Sequence, residues 1–270
     1  MLKLQNVEKA FGETQVLKDI SLEVETGKIV SILGASGSGK STLLNIILGI
    51  EQVTGGSLTF DGEDITNVPM KNRPFNIVFQ DYALFPNLTA YENLTYGLRN
   101  NKHISTKEEV EDFIDLLNLR DHLNKKVHEL SGGQKQRVAL GRTLVMKPKV
   151  LLLDEPLSAL DGVIKESIKE RIKEISRKYN LTTIIVTHDP EEALTMSDMI
   201  LILNQGHVAQ YATPTDIANR PKDRFVQDFI VNQLLVKRNH INAIFSGADI
   251  SNYVEAPIDQ TEMKVKEAVW

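Results

Sequence analysis

One short glycine-rich stretch constrains this chain more than any other feature. An apolar run over residues 28–33 precedes it, and helical spacing of apolar residues over 41–50 follows it. Its glycines let successive backbone N–H groups surround phosphate oxygens, the start of the following helix adds partial positive charge, and Lys40 adds a full charge. The pattern predicts a phosphate loop with a magnesium-binding hydroxyl at Ser41, or else a glycine-rich turn without a ligand. The stretch reads Gly34, Ala35, Ser36, Gly37, Ser38, Gly39, Lys40, Ser41, Thr42.

A second apolar run, over residues 150–153, ends in the acidic pair Asp154 and Glu155. Ligands of open parallel sheets bind beyond the carboxyl ends of the strands, so both carboxylates are expected beside the phosphate loop. We expect Asp154 to hold Mg²⁺ and Glu155 to polarise the water that attacks a γ-phosphate. On an extended backbone the two adjacent side chains would diverge toward these two tasks. An ordinary acidic loop start is the alternative.

Two more polar residues follow apolar runs. His188 comes directly after residues 182–187, and Gln80 comes directly after residues 76–79. Both are therefore expected at the same edge of the sheet, where His188 would contact the γ-phosphate and the Gln80 amide oxygen would reach the metal or the attacking water. A lone histidine is more often structural than functional, and Gln80 alone would be an ordinary loop residue.

A second candidate anion site precedes the helical pattern over residues 134–146. A serine, two glycines and a helix start favour anion binding, although the same residues also form ordinary N-cap turns. If this turn lies at the tip of a helical insertion, it is too far away to close over its own phosphate loop and would serve a second subunit. The residues are Ser131, Gly132, Gly133 and Gln134.

The alternation of apolar strands with helical segments predicts an α/β fold with a parallel sheet covered by helices. Runs over residues 3–7, 21–24 and 57–60 lack intervening helices and predict an antiparallel β layer beside it. Residues 82–146 carry mostly helical patterns and predict an inserted helical subdomain. A helix is expected over residues 224–236, while the rest of the tail has no assignable fold.

Composition excludes several classes of protein. The net charge is −5, with 31 basic against 36 acidic residues, so nucleic acid is not an expected partner. The absence of cysteine removes disulfides and thiolate metal sites. The first residues lack the apolar centre of a signal peptide, and no apolar run is long enough to span a bilayer, so any membrane role would need a protein partner.

Together these motifs resemble those of the nucleotide-binding subunit of ABC (ATP-binding cassette) transporters over residues 2–230. The glycine-rich stretch resembles the Walker A motif, and Gln80 and His188 resemble the Q-loop glutamine and the switch histidine. Phe11 resembles the aromatic residue that stacks on adenine, with a core aromatic as the alternative. The remaining motifs are a signature at Leu130 to Gln134, a Walker B motif at Leu151 to Glu155, and a D-loop at Ser158, Ala159, Leu160 and Asp161.

This resemblance implies a P-loop NTPase (RecA-like) core and a head-to-tail dimer around two Mg-ATP. Each ATP would lie between one subunit's phosphate loop and the other subunit's Ser131 to Gln134, with Asp161 also at the nucleotide. It further implies an ATPase that drives solute import through separate permease subunits, at the cytoplasmic face of the membrane, with a solute-binding protein as an indirect partner. Residues 80–89 are similar to those of importers for polyamines, ferric iron and phosphonates.

The resemblance ends after the ATPase domain expected over residues 1–230. Many such relatives continue into a β-rich regulatory domain, and residues 231–270 are too few for one, which weakens the inference about substrate class. A soluble ABC ATPase of an assembly system, such as iron–sulfur cluster biogenesis, is the alternative function. Genome-maintenance relatives need long coiled coils or two cassettes and are disfavoured. The transported solute and the choice between homodimer and heterodimer stay open.

Overall fold

The computed structural model describes residues 1–101, 103–158, 160 and 162–245. Within those residues the chain forms two β-sheets with helices packed around them. The strands are β1 (Leu2–Phe11), β2 (Thr14–Val24), β3 (Ile29–Gly34), β4 (Gly55–Phe60), β5 (Glu63–Asp64), β6 (Phe75–Val78), β7 (Val150–Asp154), β8 (Thr182–Thr187), β9 (Met199–Asn204) and β10 (His207–Ala212).

The helices alternate with the strands of the larger sheet. The segment between α8 and α9, Gln227–Asn232, is π-helical, and short 3-10 turns lie at Met70–Asn72, Tyr96–Arg99, Arg120–His122 and Val127–Glu129. The helices are α1 (Lys40–Leu48), α2 (Ala90–Leu94), α3 (Lys107–Leu116), α4 (Gly132–Leu144), α5 (Gly162–Lys178), α6 (Pro190–Met196), α7 (Pro214–Asn219), α8 (Arg224–Val226) and α9 (Gln233–Phe245).

The larger sheet has the strand order β10-β9-β3-β8-β7-β6. Strands β9, β3, β8, β7 and β6 are parallel, and β10 pairs antiparallel with β9. The parallel pairing brings the carboxyl ends of β3, β6, β7 and β8 to one edge. The expected α/β fold with a parallel core is therefore confirmed, and β10, which was not predicted from the sequence, extends it.

The smaller sheet is the expected antiparallel layer, with the order β2-β1-β4-β5. Strands β1 and β2 are longer than the segments predicted for them. Register shifts along the β1–β2 pair break the apolar alternation that would have indicated their full length in the sequence. Buried apolar residues from this layer, from α1 and from one face of the larger sheet form a common core. The layer therefore packs over the same helix that begins at the phosphate loop.

The apolar strand β7 shows why the parallel core lacks polar alternation. Val150 and Leu152 pack in the core shared with the antiparallel layer and α1. Leu151 and Leu153 pack on the opposite face, against residues of α3, α4 and α5. Both faces of the strand are covered, so every position favours an apolar side chain.

The chain between β6 and β7 contains α2, α3 and α4, as expected for a helical insertion. Helices α2 and α3 begin with capping boxes at Thr89 and Thr106, whose hydroxyls accept the N–H of Glu92 and Glu109. At the other end of the chain, the helical run continues from Arg224 to Phe245, beyond its expected end at residue 236. Residues 246–270 of the unassigned tail lie outside the described residues.

Across the described residues, none of the helices is both long and apolar enough to cross a bilayer.

Candidate active site

The glycine-rich stretch forms a tight loop between β3 and α1. Gly37 and Gly39 have positive φ angles of 77° and 103°, a region that favours glycine. A Cβ on Gly39 would lie 2.6 Å from a methyl carbon of Leu17, and a Cβ on Gly34 would lie 2.5 Å from the carbonyl oxygen of Leu203. The loop therefore needs glycine at these positions for its backbone to fit against β2 and β9.

Lys40 closes the loop from inside. Its buried Nζ donates to the carbonyl oxygens of Gly34, at 2.8 Å, and Ala35, at 3.0 Å. Burial lowers the pKa of the Lys40 ammonium, and the charges of Glu155 and Asp154 oppose that shift. A phosphate anion placed in the loop would give this buried cation a full counter-charge in place of two carbonyl dipoles.

The loop residues present fit a phosphate group. The buried Ser38 Oγ has no hydrogen-bond partner within the described residues. Helix α1 has no side-chain cap at Gly39, so the N–H groups of its first turn are free to donate to an anion. Ser41 is exposed and Thr42 is half-buried in that first turn. These donors suit an anion, while the individual phosphate contacts and the magnesium role of Ser41 stay predictions.

The structure brings together three of the predicted catalytic residues. The Gln80 amide Nε2 lies 3.4 Å from one carboxylate oxygen of Glu155, and His188 Nδ1 lies 3.2 Å from the other. Gln80 and His188 are exposed, and the Glu155 side chain is 22% exposed. A carboxylate held between an amide and an imidazole at an open edge is suited to accept a proton from a water.

The expected extended backbone at the acidic pair is wrong. β7 ends at Asp154, and Glu155 takes a left-handed conformation with a φ of 46°. Its N–H still donates to the Val186 carbonyl oxygen at 2.9 Å, which ties the residue to β8. The two carboxylates are therefore separated by a sharp backbone turn, which aims Glu155 toward Gln80 and His188. Such strain in a non-glycine residue is typical of functional sites.

Asp154 is half-buried at the end of β7. Burial raises the pKa of its carboxyl, the Glu155 charge raises it further, and Lys40 opposes the shift. A divalent cation would relieve the same repulsion. Carboxylate and hydroxyl oxygens are ligands that suit Mg²⁺, so Asp154 and Ser41 fit the predicted metal role by their chemistry.

The second candidate anion site is the N-terminus of α4, and it is a capping box. The Ser131 Oγ accepts the N–H of Gln134 at 3.4 Å, and the Gln134 Oε1 accepts the N–H of Ser131 at 3.0 Å. A Cβ on the buried Gly133 would lie 2.6 Å from an Ile164 methyl carbon, whereas Ser131 and Gly132 are exposed. In the described residues, no hydrogen bond joins this turn to the phosphate loop of the same chain.

Phe11 lies at the end of β1 and is 47% exposed. The core alternative for this aromatic is therefore wrong. The ammonium of Lys9 lies 4.6 Å from its ring centre. Leu17 of the paired strand β2 packs close to Gly39, so the hairpin that carries Phe11 lies on the phosphate-loop side of the antiparallel layer. Its contact with adenine stays a prediction.

The predicted D-loop is described only in part. Ser158 donates its hydroxyl to the carbonyl oxygen of Glu155 at 3.0 Å, so the turn after β7 is closed by a side chain. Asp161 and Ala159 lie outside the described residues, and so does the predicted nucleotide contact of Asp161.

An ion-pair cluster behind His188 was missed by sequence reasoning. Lys165 of α5 lies 3.1 Å from a carboxylate oxygen of Asp189 and 2.6 Å from one of Glu192. Lys237 of α9 lies 3.2 Å from a carboxylate oxygen of Glu191. These pairs hold the start of α6 directly after the histidine. Only the Asp189-Pro190 helix start is visible in the sequence, since the lysines come from distant helices.

Comparison with known proteins agrees with the fold. A family profile described as "ABC transporter" matches residues 17–158. The spermidine/putrescine import ATP-binding protein PotA of Haemophilus ducreyi is 46% identical over 232 residues, which cover 85% of this chain and 62% of that protein. The PotA protein of Spiroplasma citri is 44% identical over 247 residues, which cover 91% of this chain and 69% of that protein.

A solved structure is also similar. The ATP-binding cassette MJ0796, described as a dimeric post-hydrolysis state bound to ADP and Pi, matches with a TM-score of 0.68 and 34% identity. The match covers 79% of this chain and 99% of the MJ0796 chain. The resemblance noted from the motifs is thus confirmed by family profile, curated relatives and structure. The chain belongs to the ABC transporter family and contains its ATP-binding cassette.

Proposed function

We propose that this chain is the ATP-hydrolysing subunit of an ABC importer, which dimerises around two Mg-ATP and drives solute import through a separate permease. The observation that carries the proposal is the meeting of Gln80, Glu155 and His188 beside a glycine loop that contains Lys40. Similarity to import ATP-binding proteins supports the direction of transport. Neither the described residues of the site nor the two named relatives favour the iron–sulfur alternative.

Nucleotide binding starts at the phosphate loop. The β- and γ-phosphates would take the N–H groups of the first turn of α1, and Lys40 would exchange the carbonyls of Gly34 and Ala35 for phosphate oxygens. The unpartnered Ser38 hydroxyl would gain an acceptor. Phe11, exposed at the end of β1, would stack on the adenine ring.

ATP hydrolysis would depend on Glu155 and on the two side chains that contact it. The carboxylate would accept or polarise the proton of a water that attacks the γ-phosphate, giving ADP and phosphate. Gln80 and His188, at 3.4 and 3.2 Å from its two oxygens, would hold its orientation. Magnesium, bound by Asp154, Ser41 and Gln80, would neutralise charge on the β- and γ-phosphates.

A second subunit would complete the site. The Ser131 Oγ accepts a hydrogen bond within its own capping box, and its hydroxyl proton remains free to donate to an anion. The start of α4 adds partial positive charge. Because this turn shares no hydrogen bond with its own phosphate loop, we propose that Ser131, Gly132, Gly133 and Gln134 close over the partner's nucleotide. A symmetric homodimer is the simplest such assembly.

The segment after Gln80 supports a docking surface for the permease. Arg142 of α4 donates to the carbonyl oxygens of Tyr82, at 2.9 Å, and Ala83, at 2.7 Å, two residues with positive φ. This contact fixes the chain that leads to Phe85, whose exposed ring packs on Tyr96 with ring centres 4.2 Å apart. An exposed aromatic pair held rigidly beside the Gln80 segment fits an apolar helix of a membrane partner.

Location and solute follow from the same proposal. Bound to a permease, the chain would lie at the cytoplasmic face of the membrane as a peripheral subunit. Polyamines are the first solutes to test, because both named relatives are spermidine/putrescine import subunits.

The testing experiment is ATP hydrolysis by the chain reconstituted with its permease and solute-binding protein in liposomes. We expect spermidine-loaded binding protein to stimulate hydrolysis and accumulate spermidine inside, and Glu155→Gln to abolish both. A rate of ATP hydrolysis that is changed neither by the permease nor by any loaded binding protein would contradict the importer assignment. Stimulation by ferric iron or phosphonate instead would contradict the solute alone.

A further inference from the structure

His122 contacts the signature turn, although it lies outside every motif. It ends the 3-10 turn Arg120–His122, and its N–H donates to the Leu119 carbonyl oxygen at 2.8 Å. Its ring Nε2 lies 3.1 Å from the side-chain Nε2 of Gln134. Gln134 is thus held at both ends of its amide, by Ser131 on one side and by His122 on the other.

The hydrogen-bond pattern fixes which atom donates in this contact. The backbone N–H of Ser131 can only donate, so the oxygen of the Gln134 amide must face it. The Gln134 nitrogen therefore faces His122 and donates there. His122 Nε2 must consequently carry a lone pair, and the proton of the neutral ring must sit on Nδ1.

The other ring nitrogen is consistent with a constrained ring. Among the described residues, His122 Nδ1 is buried and has no hydrogen-bond partner. The opposite tautomer would leave an acceptor at Nδ1 and would set two N–H donors against each other at 3.1 Å. The tautomer with the proton on Nδ1 leaves that N–H without a partner among the described residues. In this tautomer Nε2 can accept the hydrogen bond from Gln134.

We propose that His122 is a positioning residue for the signature turn. By accepting a hydrogen bond from Gln134, it locks the amide in the orientation that completes the capping box at Ser131. The turn would then be ordered before the partner subunit's nucleotide arrives, which lowers the entropy cost of closing the dimer. This role rests on the proposed function, in which Ser131 to Gln134 close over the partner's ATP.

The tautomer is a direct test that needs no ATP. The full chain is labelled with ¹⁵N in its imidazole rings, and the His122 signals are identified by their loss in His122→Gln. We expect the neutral His122 ring to carry its proton on Nδ1, and Gln134→Leu to remove that preference. An Nε2–H tautomer, or a preference that Gln134→Leu leaves unchanged, would overturn the proposal.

The second test measures ATP-dependent dimerisation in the Glu155→Gln background by analytical ultracentrifugation. His122→Leu removes the hydrogen-bond acceptor for Gln134 at both sites of the dimer. Each loss should lower the dimerisation constant by roughly three- to tenfold, so the dimer should be weaker by roughly tenfold or more in total. His122→Gln offers an amide oxygen near the position of Nε2 and should restore dimerisation. ATP affinity of the monomer should be unchanged in both variants, since its phosphate loop is intact.

The matched control is His128→Leu, an exposed histidine in the same connection. It should dimerise like the parent. Equal dimerisation of His122→Leu and the parent, or failure of His122→Gln to rescue a folded His122→Leu defect, would overturn the proposal. If the Glu155→Gln parent forms no ATP-dependent dimer, the proposed function fails, and the tautomer measurement still decides whether His122 orients Gln134.

Discussion

Arg73 is expected to hold the phosphate-loop helix in place from its far end. The residue is 6% exposed, and among the hydrogen bonds of the described residues its guanidinium donates to carbonyl oxygens only. Two of these carbonyls belong to the end of α1, and the others to the loop between β5 and β6. The acceptors are Ile46 at 2.8 Å, Ile47, Val68 and Ile65 at 2.7 Å, and Thr66 at 3.3 Å.

Arg73→Met keeps the volume and removes the donors. The carbonyls of Ile46 and Ile65 keep a second donor, from the N–H groups of Gly49 and Val68. The remaining acceptors, one buried and two part-buried carbonyls, lose their donors, at a cost of about 1–1.5 kcal/mol for each. Burial lowers the pKa of Arg73, which shows that the cation itself is costly to bury and offsets part of the loss. We expect a net loss of about 2–4 kcal/mol in the free energy of unfolding.

Urea unfolding followed by circular dichroism measures this loss. The matched control is Lys71→Met, an exposed cation two residues away, which should change the stability by less than about 0.5 kcal/mol. ATP affinity of the folded Arg73→Met chain should be unchanged, because no proposed nucleotide contact involves Arg73. A loss of stability for Arg73→Met no larger than that for Lys71→Met would show that these hydrogen bonds do not stabilise the fold.

Three further outcomes are expected at the site. Glu155→Gln should bind Mg-ATP and lower turnover by about 10²-fold or more, measured by phosphate release, since the amide cannot accept the proton; turnover near the wild-type rate would contradict this. Lys40→Ala should lose most ATP binding by calorimetry while keeping its circular dichroism spectrum, and near-normal affinity would exclude the phosphate-loop assignment. Asp154→Asn should make the nucleotide-free protein more stable to urea at pH 7. Because the carboxyl pKa of Asp154 is raised in the folded state, ionising Asp154 at higher pH destabilises the folded parent. The stability advantage of Asp154→Asn over the parent should therefore shrink as the pH falls toward about 4. An advantage that stays constant with pH would be the contrary result.

The phosphate loop and the strand-end residues could be predicted because their signals are local. Glycine spacing around Lys40 and apolar runs before Gln80, Glu155 and His188 each report a strand and the loop at its end. A parallel sheet then places all strand ends at one edge without further information. The physical basis of that prediction is the topology, which sequence alternation already indicates.

Other features depend on contacts between distant parts of the chain. Arg73 reads as an ordinary charged residue until α1 and the β5–β6 loop surround it with carbonyls. The contact between His122 and Gln134 requires the 3-10 turn to fold back on α4. Glu155 has a left-handed backbone and donates its N–H to the Val186 carbonyl oxygen on β8. A glutamate by itself does not favour this conformation, so the sequence gives no sign of it.

In the proposed function, two copies of this chain close around ATP through the phosphate loop of one and the signature turn of the other. Light scattering of Glu155→Gln with saturating Mg-ATP tests it most directly. We expect twice the monomer mass with ATP and the monomer mass without it. Adding Ser131→Arg should give the monomer mass with ATP, although that chain still binds ATP. A monomer of Glu155→Gln that has bound Mg-ATP, or an unchanged dimer of the Ser131→Arg variant, would exclude this closed dimer.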